Sequence, residues 1–248
     1  MKYQQAKRLP TLILLAALTA ITTILICYLS SHYFTHYPKE HLWLPVISLT
    51  GYKAPEYYFY AIGFTVTGIL FIYCSYYIHF VFLPMTKLFT TAEIYKLFVL
   101  LLSGIICFII HAIVPLQEDI LTAKELTFGC QLHQSCAGIF FLLVILHTTY
   151  IFSIVKKKEN TFDFFDRRAL KIRASCAIGS ALTVVVSMGI HPTTKILFGD
   201  KFKRHLMSIG ALAQWILVGS IIIIFTSYCM DIQKMLPKLY EEEQQKKK

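Results

Sequence analysis

One histidine and two carboxylates are the residues of this chain best suited to chemistry. His133, Glu56 and Glu118 each stand near the end of an apolar segment, so they could work together as an acid–base set. The same side chains could also bind a metal ion, but no H-x3-H or H-E-x-x-H spacing includes His133. The sequence contains no nucleophile elbow, phosphate-binding loop or dinucleotide fingerprint. We therefore expect no metal and no cofactor, and the sequence leans away from an enzyme without deciding the point.

Six apolar runs must position these residues, and they make the chain an integral membrane protein. They cover residues 10–31, 57–83, 94–115, 131–154, 174–191 and 205–229. About 20 apolar residues in a helix cross the ~30 Å hydrocarbon core of a bilayer. The runs contain no Asp, Glu or Arg, hydrophobic residues form 56% of the chain, and the mean hydropathy is +0.59. The sequence thus predicts an all-α polytopic membrane protein: a single domain over 1–248, a six-transmembrane-helix bundle, and a charged tail at 230–248.

The distribution of Lys and Arg predicts the orientation of these runs. Both residue types concentrate in the two termini and in the loop at 155–173, which places the termini in the cytosol by the positive-inside rule. The basic loop at 192–204 argues weakly the other way. The net charge of +10 is then a membrane signal, and we expect no nucleic-acid partner, because no soluble domain remains to present a basic face.

The loop at 156–173 combines its cations with three Phe residues. Such a segment could lie on anionic lipid at the membrane surface. A plain stop-transfer loop that obeys the positive-inside rule explains the same composition. The sequence leaves both interpretations open.

Several polar residues lie within or at the edges of the apolar runs, namely His111, His133, His147 and Gln214. Polar side chains are costly inside a bilayer, which makes them candidates for function. A hydrogen bond between two helices is the simpler explanation for each of them.

A set of short motifs gives a more specific indication. Residues 44–56 supply six of the matching positions: Pro45, Ile47, Ser48, Gly51, Pro55 and Glu56. Others follow along the chain: Gln117 and Glu118, His133 with Ala137, Gly138, Phe140 and Phe141, then Arg173, Gln214, Trp215 and Asp231. In this order and spacing they resemble the DRAM-like family, the damage-regulated autophagy modulators. Its superfamily also includes the Frag and Sfk proteins, the amino-terminal half of the Cwh proteins and a GPI-lipid-remodelling factor. Leu49 and Gln214 stand where the family has acidic residues, so the chain looks like a divergent member.

The resemblance implies a non-enzymatic membrane regulator that acts in autophagy and endolysosomal function or in the organisation of membrane lipids. It would bind membrane lipids or a protein partner of unknown identity, in an endomembrane (lysosome, Golgi or ER) rather than the plasma membrane. A GPI-anchor lipid-remodelling factor or enzyme is the alternative, and a channel or transporter is the third candidate.

The positions that the resemblance marks for ligand or lipid binding are Pro45, Ser48, Gly51, Pro55, Glu56, Gln117, Glu118, His133, Arg173, Gln214, Trp215 and Asp231. Their residue types also suit a purely structural role. Pro and Gly limit or permit backbone conformations, and a Glu near the start of a helix complements the helix dipole. The same set could therefore fold an outer cap onto the bundle without binding anything.

Overall fold

The computed structural model describes residues 2–33, 44–114, 116, 127–158, 164–197 and 200–245, with backbone alone over 186–197 and 200–207. These ranges are about 90% helical and contain no strand. The helices are α1 Lys2–Tyr33, a 3₁₀ helix Ile47–Gly51, α2 Glu56–Tyr77, a π-helical turn Ile78–Phe82, α3 Leu83–Met85, α4 Thr91–Ile113, α5 Phe128–Lys157, α6 Arg167–Leu197 and α7 Asp200–Gln245.

Five of these helical stretches are long and apolar enough to cross a membrane: Ala6–Tyr33, Glu56–Met85, Thr91–Ile113, Phe128–Lys157 and Ser208–Gln245. Each contains most or all of one predicted run, so five of the six predicted spans are confirmed as helices of suitable length and composition. The predicted span at 174–191 lies within α6, where the described side chains stop at residue 185. Six spans and cytosolic termini therefore stay predictions.

The long helices follow one another around a closed ring. Each packs against its neighbour in the sequence, in the order α1, α2, α4, α5, α6 and α7, and α7 packs against α1. One end of the bundle carries the 3₁₀ helix and is called the cap end here. The other end carries the first residues of α1 and the last residues of α7 and is called the tail end. There the predicted charged tail continues α7 as a helix to Gln245, and the Tyr240 ring lies 5.5 Å from the Tyr3 ring.

Local capping groups fix where several helices begin. Thr90 and Glu93 form a reciprocal capping box at the start of α4, and the Thr127 hydroxyl accepts a hydrogen bond from an N–H in the first turn of α5. The Asp166 carboxylate caps α6 by accepting from the Ala169 and Arg168 N–H groups, at 3.1 and 2.7 Å. These two donors stabilise the ionised carboxylate and lower the pKa of Asp166 below its usual value. Side chains outside the apolar runs thus set where these three helices begin.

Candidate functional site

The cap is the segment 44–55, which contains the 3₁₀ helix Ile47–Gly51. All five residues of this helix are buried. Two neighbouring side chains of α7 hold its backbone. The Ile47 N–H donates to Gln214 Oε1 at 2.7 Å, and Trp215 Nε1–H donates to the Pro45 carbonyl at 2.8 Å. The amide of Gln214 therefore supplies the acceptor for the cap although it lacks the charge of the family's acidic residue. The structure brings the Pro45 and Trp215 motifs together, 170 residues apart in sequence.

We expect Trp215→Phe to loosen the cap, because it removes the hydrogen bond to Pro45 and keeps an aromatic ring against Tyr28, whose ring centroid lies 6.0 Å from that of Trp215. The loss should lower the free energy of unfolding by about 0.5–1.5 kcal/mol. Thermal unfolding in detergent measures it. Tyr58→Phe is the matched control, because Tyr58 is 59% exposed and its hydroxyl holds no element of the cap. Equal melting temperatures for the natural chain and Trp215→Phe would contradict the role of this bond.

Gly51 and Pro55 determine the path of the backbone from the cap into α2. A Cβ on Gly51 would lie 2.4–2.5 Å from three carbon atoms of Tyr60, so only glycine allows this approach of the cap to α2. Pro55 follows a cis peptide bond and precedes the first residue of α2, Glu56. Ser48 is buried in the 3₁₀ helix. These motif positions therefore form the cap itself and its junction with α2.

Glu56 is a buried carboxylate at the cap end, with 1% of its surface exposed. Its Oε1 accepts a hydrogen bond from the Ser30 hydroxyl at 2.5 Å, and its backbone carbonyl accepts from the Cys27 thiol at 3.7 Å. Its Oε2 has no hydrogen-bond partner in the described part of the chain. Within the described ranges, no Lys, Arg or His lies within ion-pair distance of the carboxylate. Among the described residues, the carboxylate thus has a partner for one oxygen and no cation to compensate its charge.

Two histidines continue the polar network from α2 to α4 and α5. The Tyr60 hydroxyl lies 2.8 Å from His111 Nε2, and His111 Nδ1 lies 3.3 Å from the His133 carbonyl. His133 Nδ1 lies 2.9 Å from the Val114 carbonyl, and the rings of His111 and His133 have centroids 3.9 Å apart. Because a carbonyl only accepts, both Nδ1 atoms are assigned the proton and donate it. His111 Nε2 then accepts from Tyr60, while His133 Nε2 is a buried lone pair that meets no partner among the residues the structure describes.

A cavity of about 50 Å³ lies directly beneath this network. Its walls come from the cap and from α1, α2, α4, α5 and α7, and they are mainly aromatic and aliphatic, as with Phe64 and Phe140. Tyr60, His111 and Gln214 supply polar groups at one end of it. From Gln214 the cavity follows α7 to Ile221, about 10 Å along the helix axis. It is an apolar chamber with a polar end under the cap.

The other two described motif residues, Arg173 and Asp231, form an ion pair near the tail end. Arg173 Nη2 lies 2.5 Å from Asp231 Oδ2, with 2% and 0% of the side chains exposed. Because the two groups carry opposite charges and lie this close together, the contact is an ion pair. Asp231 Oδ1 accepts from the Asp166 N–H at 2.8 Å, and the Arg173 guanidinium lies 4.3 Å from the Tyr228 ring centroid.

A second buried pair, His79 and His147, was missed as a pair by the sequence analysis. The π-helical turn after α2 contains His79, whose Nδ1 lies 2.7 Å from the Ser75 carbonyl. Its Nε2 lies 3.0 Å from His147 Nε2 on α5. The only signal in the sequence was a His within the apolar run at 57–83, and nothing in its spacing shows a π-helical turn.

The predicted site residues thus fall into two groups rather than one. Gln214 and Asp231 are 17 positions apart on α7, or about 25 Å along its axis. Pro45, Ser48, Gly51, Pro55, Glu56, His133, Gln214 and Trp215 belong to the cap end. Arg173 and Asp231 lie apart from them, and Gln117 and Glu118 fall outside the described residues. In the described part of the chain, no group of three or more His, Cys, Asp or Glu side chains is arranged to hold a metal ion.

Comparison with known proteins gives one match. No curated protein and no solved structure is significantly similar to this chain. The model of the Frag1/DRAM/Sfk1/Cwh43P N-terminal domain matches residues 5–235, which include both the cap and the Arg173–Asp231 pair. The chain therefore belongs to the Frag1/DRAM/Sfk1/Cwh43P N-terminal domain family.

Proposed function

We propose that this chain is a non-enzymatic membrane regulator of the DRAM type that works by binding a membrane lipid beneath its cap. The observation that supports this most directly is the cavity between the helices, with aromatic walls and the polar groups of Tyr60, His111 and Gln214 at one end. Ligand sites of this kind are mostly apolar and use a few placed polar groups to orient the ligand. The apolar walls match part of a lipid tail, since a cavity of about 50 Å³ does not hold a whole one, and the polar part of the lipid matches the end under the cap.

The cap gives such a site a means of regulation. Ile47 contributes to the cavity wall, and its N–H is the group that Gln214 holds. A lipid that fills the cavity therefore contacts the same segment that Trp215 and Gln214 fasten to α7. Through this contact, occupancy can change the position of the cap and the surface that it presents to a protein partner. The proposal includes a setting in autophagy, endolysosomal function or lipid organisation, in the lysosome, Golgi or ER, as the resemblance to the DRAM proteins implies.

The basic loop at 156–173 contributes less to lipid binding in this proposal than its composition suggests. Phe165 is fully buried against Phe82, with ring centroids 5.5 Å apart, and Phe164 lies under the Lys238 ammonium at 5.0 Å. Arg173 is buried as well. These aromatic residues therefore fasten α6 to the bundle, and contact with anionic lipid would depend on exposed cations such as Lys157.

Ala137→Val tests the cavity, because it adds bulk to the α5 wall and leaves every polar group in place. We expect the natural chain, purified in mild detergent, to retain a lipid of defined mass in native mass spectrometry, and Ala137→Val to retain much less. Gly138→Ala is the matched control: its added methyl group has no atom within 4 Å, so lipid retention should not change. Equal retention by all three proteins, or none by the natural chain, would overturn the proposal.

The identity of the retained lipid decides between this function and GPI-lipid remodelling. The bare Nε2 of His133 is the observation that favours the remodelling role, since a general base needs a free lone pair. Recovery of a glycosylphosphatidylinositol would support that role. Recovery of an ordinary membrane phospholipid would support the regulator.

A further inference from the structure

We infer that the headgroup of the lipid bound beneath the cap carries a primary ammonium group, with Glu56 as its counter-ion and His133 Nε2 as a second acceptor. The inference rests on the proposed lipid-binding function and adds the chemical class of the ligand. It starts from two buried atoms at the cap end, Glu56 Oε2 and His133 Nε2, that have no partner within the described ranges. The two side chains are only 1% and 3% exposed, so bulk solvent does not reach either atom.

Both atoms are acceptors, and this determines what can bind them. The Glu56 carboxylate has no proton to donate when ionised, and only its Oε1 is used, by Ser30. His133 commits its Nδ1 proton to the Val114 carbonyl, which leaves Nε2 as a lone pair. A ligand that fits must therefore donate hydrogen bonds. A phosphate or carboxylate has none to offer when ionised.

The charge at the cap end points to the same class of ligand. Buried carboxylates are normally paired with a cation, because an isolated charge is costly to desolvate. In the described part of the chain Glu56 has no such partner, while Arg173 and Asp231 at the tail end compensate each other. The aromatic ring of Tyr60, one helical turn from Glu56 on α2, adds a surface that attracts cations. A positively charged donor is thus the complement of this end of the cavity.

Tyr60 and His111 lie between the two acceptors and the cavity. Tyr60 follows Glu56 by four residues on the buried face of α2, and its hydroxyl bonds to His111. The His111 ring lies against the His133 ring, with centroids 3.9 Å apart. Tyr60 and His111 both line the cavity. Glu56 and His133 do not line the cavity themselves, so a lipid with its tail in the cavity would reach them with a headgroup that extends beyond the polar end.

The need for a positive charge and for N–H donors distinguishes between the headgroups of common phospholipids. The primary ammonium of phosphatidylethanolamine has a positive charge and three N–H donors. The quaternary ammonium of phosphatidylcholine has the charge but no N–H, so both acceptors would stay without a partner. Hydrogen bonds to charged groups are strong enough to make the first lipid bind at least about tenfold more tightly than the second.

An N-methylation series tests this on the full chain. Dioleoyl phosphatidylethanolamine, its N-monomethyl and N,N-dimethyl derivatives and dioleoyl phosphatidylcholine share the same tails. Their apparent affinities for the delipidated protein are measured by native mass spectrometry titration. We expect affinity to fall with each added methyl group. Equal binding of all four lipids would overturn the ammonium inference and leave the lipid-binding proposal standing, whereas no binding of any lipid would overturn the proposal itself.

Two variants locate the headgroup. Glu56→Gln keeps the acceptor for Ser30 and replaces the unpartnered oxygen by an amide NH₂, so we expect a folded protein that no longer prefers phosphatidylethanolamine. His133→Asn keeps a donor for Val114 and removes the bare Nε2, and it should reduce the preference in part. Glu241→Gln, an exposed carboxylate near the tail end, is the control and should change nothing. A full preference in the Glu56→Gln protein would overturn the assignment.

A free inorganic cation could supply the same positive charge to Glu56. In that case, adding MgCl₂ or NaCl to the delipidated protein would raise its melting temperature, and Glu56→Gln would abolish the rise. The four lipids would then bind alike. This result would overturn the headgroup assignment in favour of an ion site.

Discussion

Asp231→Asn should lower the free energy of unfolding by about 3–5 kcal/mol, because it leaves the buried Arg173 guanidinium without its counter-ion. The substitution is nearly isosteric, and an Asn oxygen can still accept the hydrogen bond that the Asp166 N–H donates. The decrease in the free energy of unfolding therefore reports the ionic part of the interaction between Arg173 and Asp231. It is measured by thermal and denaturant unfolding in detergent micelles.

A charge-free replacement of both partners separates the pair's charge from its packing. Removing one member of a buried ion pair is strongly destabilising, whereas replacing both by apolar residues of similar size is often close to neutral. We therefore expect Arg173→Met combined with Asp231→Leu to recover most of the stability lost in Asp231→Asn. If Asp231→Asn unfolds like the natural chain, Arg173 is compensated by some other group and the pair is not what holds α6 to α7.

The apolar runs of the sequence were a reliable guide to the helices because one physical requirement determines both. A segment that crosses a bilayer must be apolar over about 20 residues and must satisfy its backbone internally, which a helix does. The same requirement says little about where a helix ends in water. The predicted final run stopped at residue 229, yet α7 continues to Gln245, where Glu243 Oε1 accepts a hydrogen bond from the Tyr3 N–H. Packing against α1, which a scan of single apolar runs does not detect, extends the helix.

The candidate site, too, could be predicted from the sequence only in part. Motif order marked Pro45, Gln214 and Trp215 as related, and the structure joins them through the backbone of the cap. The spacing of 17 residues already separates Asp231 from Gln214 by about 25 Å along one helix, but it could not show that Asp231 pairs with Arg173. Nor could it show that Glu56 and His133 each keep one acceptor without a partner, because partners depend on side chains from four different helices. Sequence patterns identified the candidate residues. The packing of the helices is needed to show which of their hydrogen-bond acceptors have no partner among the described residues.

Gly51→Ala should detach the cap more strongly than the loss of either α7 hydrogen bond. The new Cβ would lie 2.4 Å from Tyr60 Cδ2 and 2.5 Å from Tyr60 Cβ and Cγ, atoms close to the backbone of α2 that cannot swing aside. Tyr60 is further restrained by its hydroxyl bond to His111 and by Phe64, whose ring centroid lies 4.6 Å away. Overpacking of this kind costs about 1–3 kcal/mol. The melting temperature and lipid retention should therefore both fall.

Gly219→Ala is the matched control. It lies on α7, has no atom within 4 Å of the added methyl group, and should be neutral or slightly stabilising. If Gly51→Ala melts and retains lipid as the control does, the cap has room to move without effect, and its close approach to Tyr60 does not maintain the site.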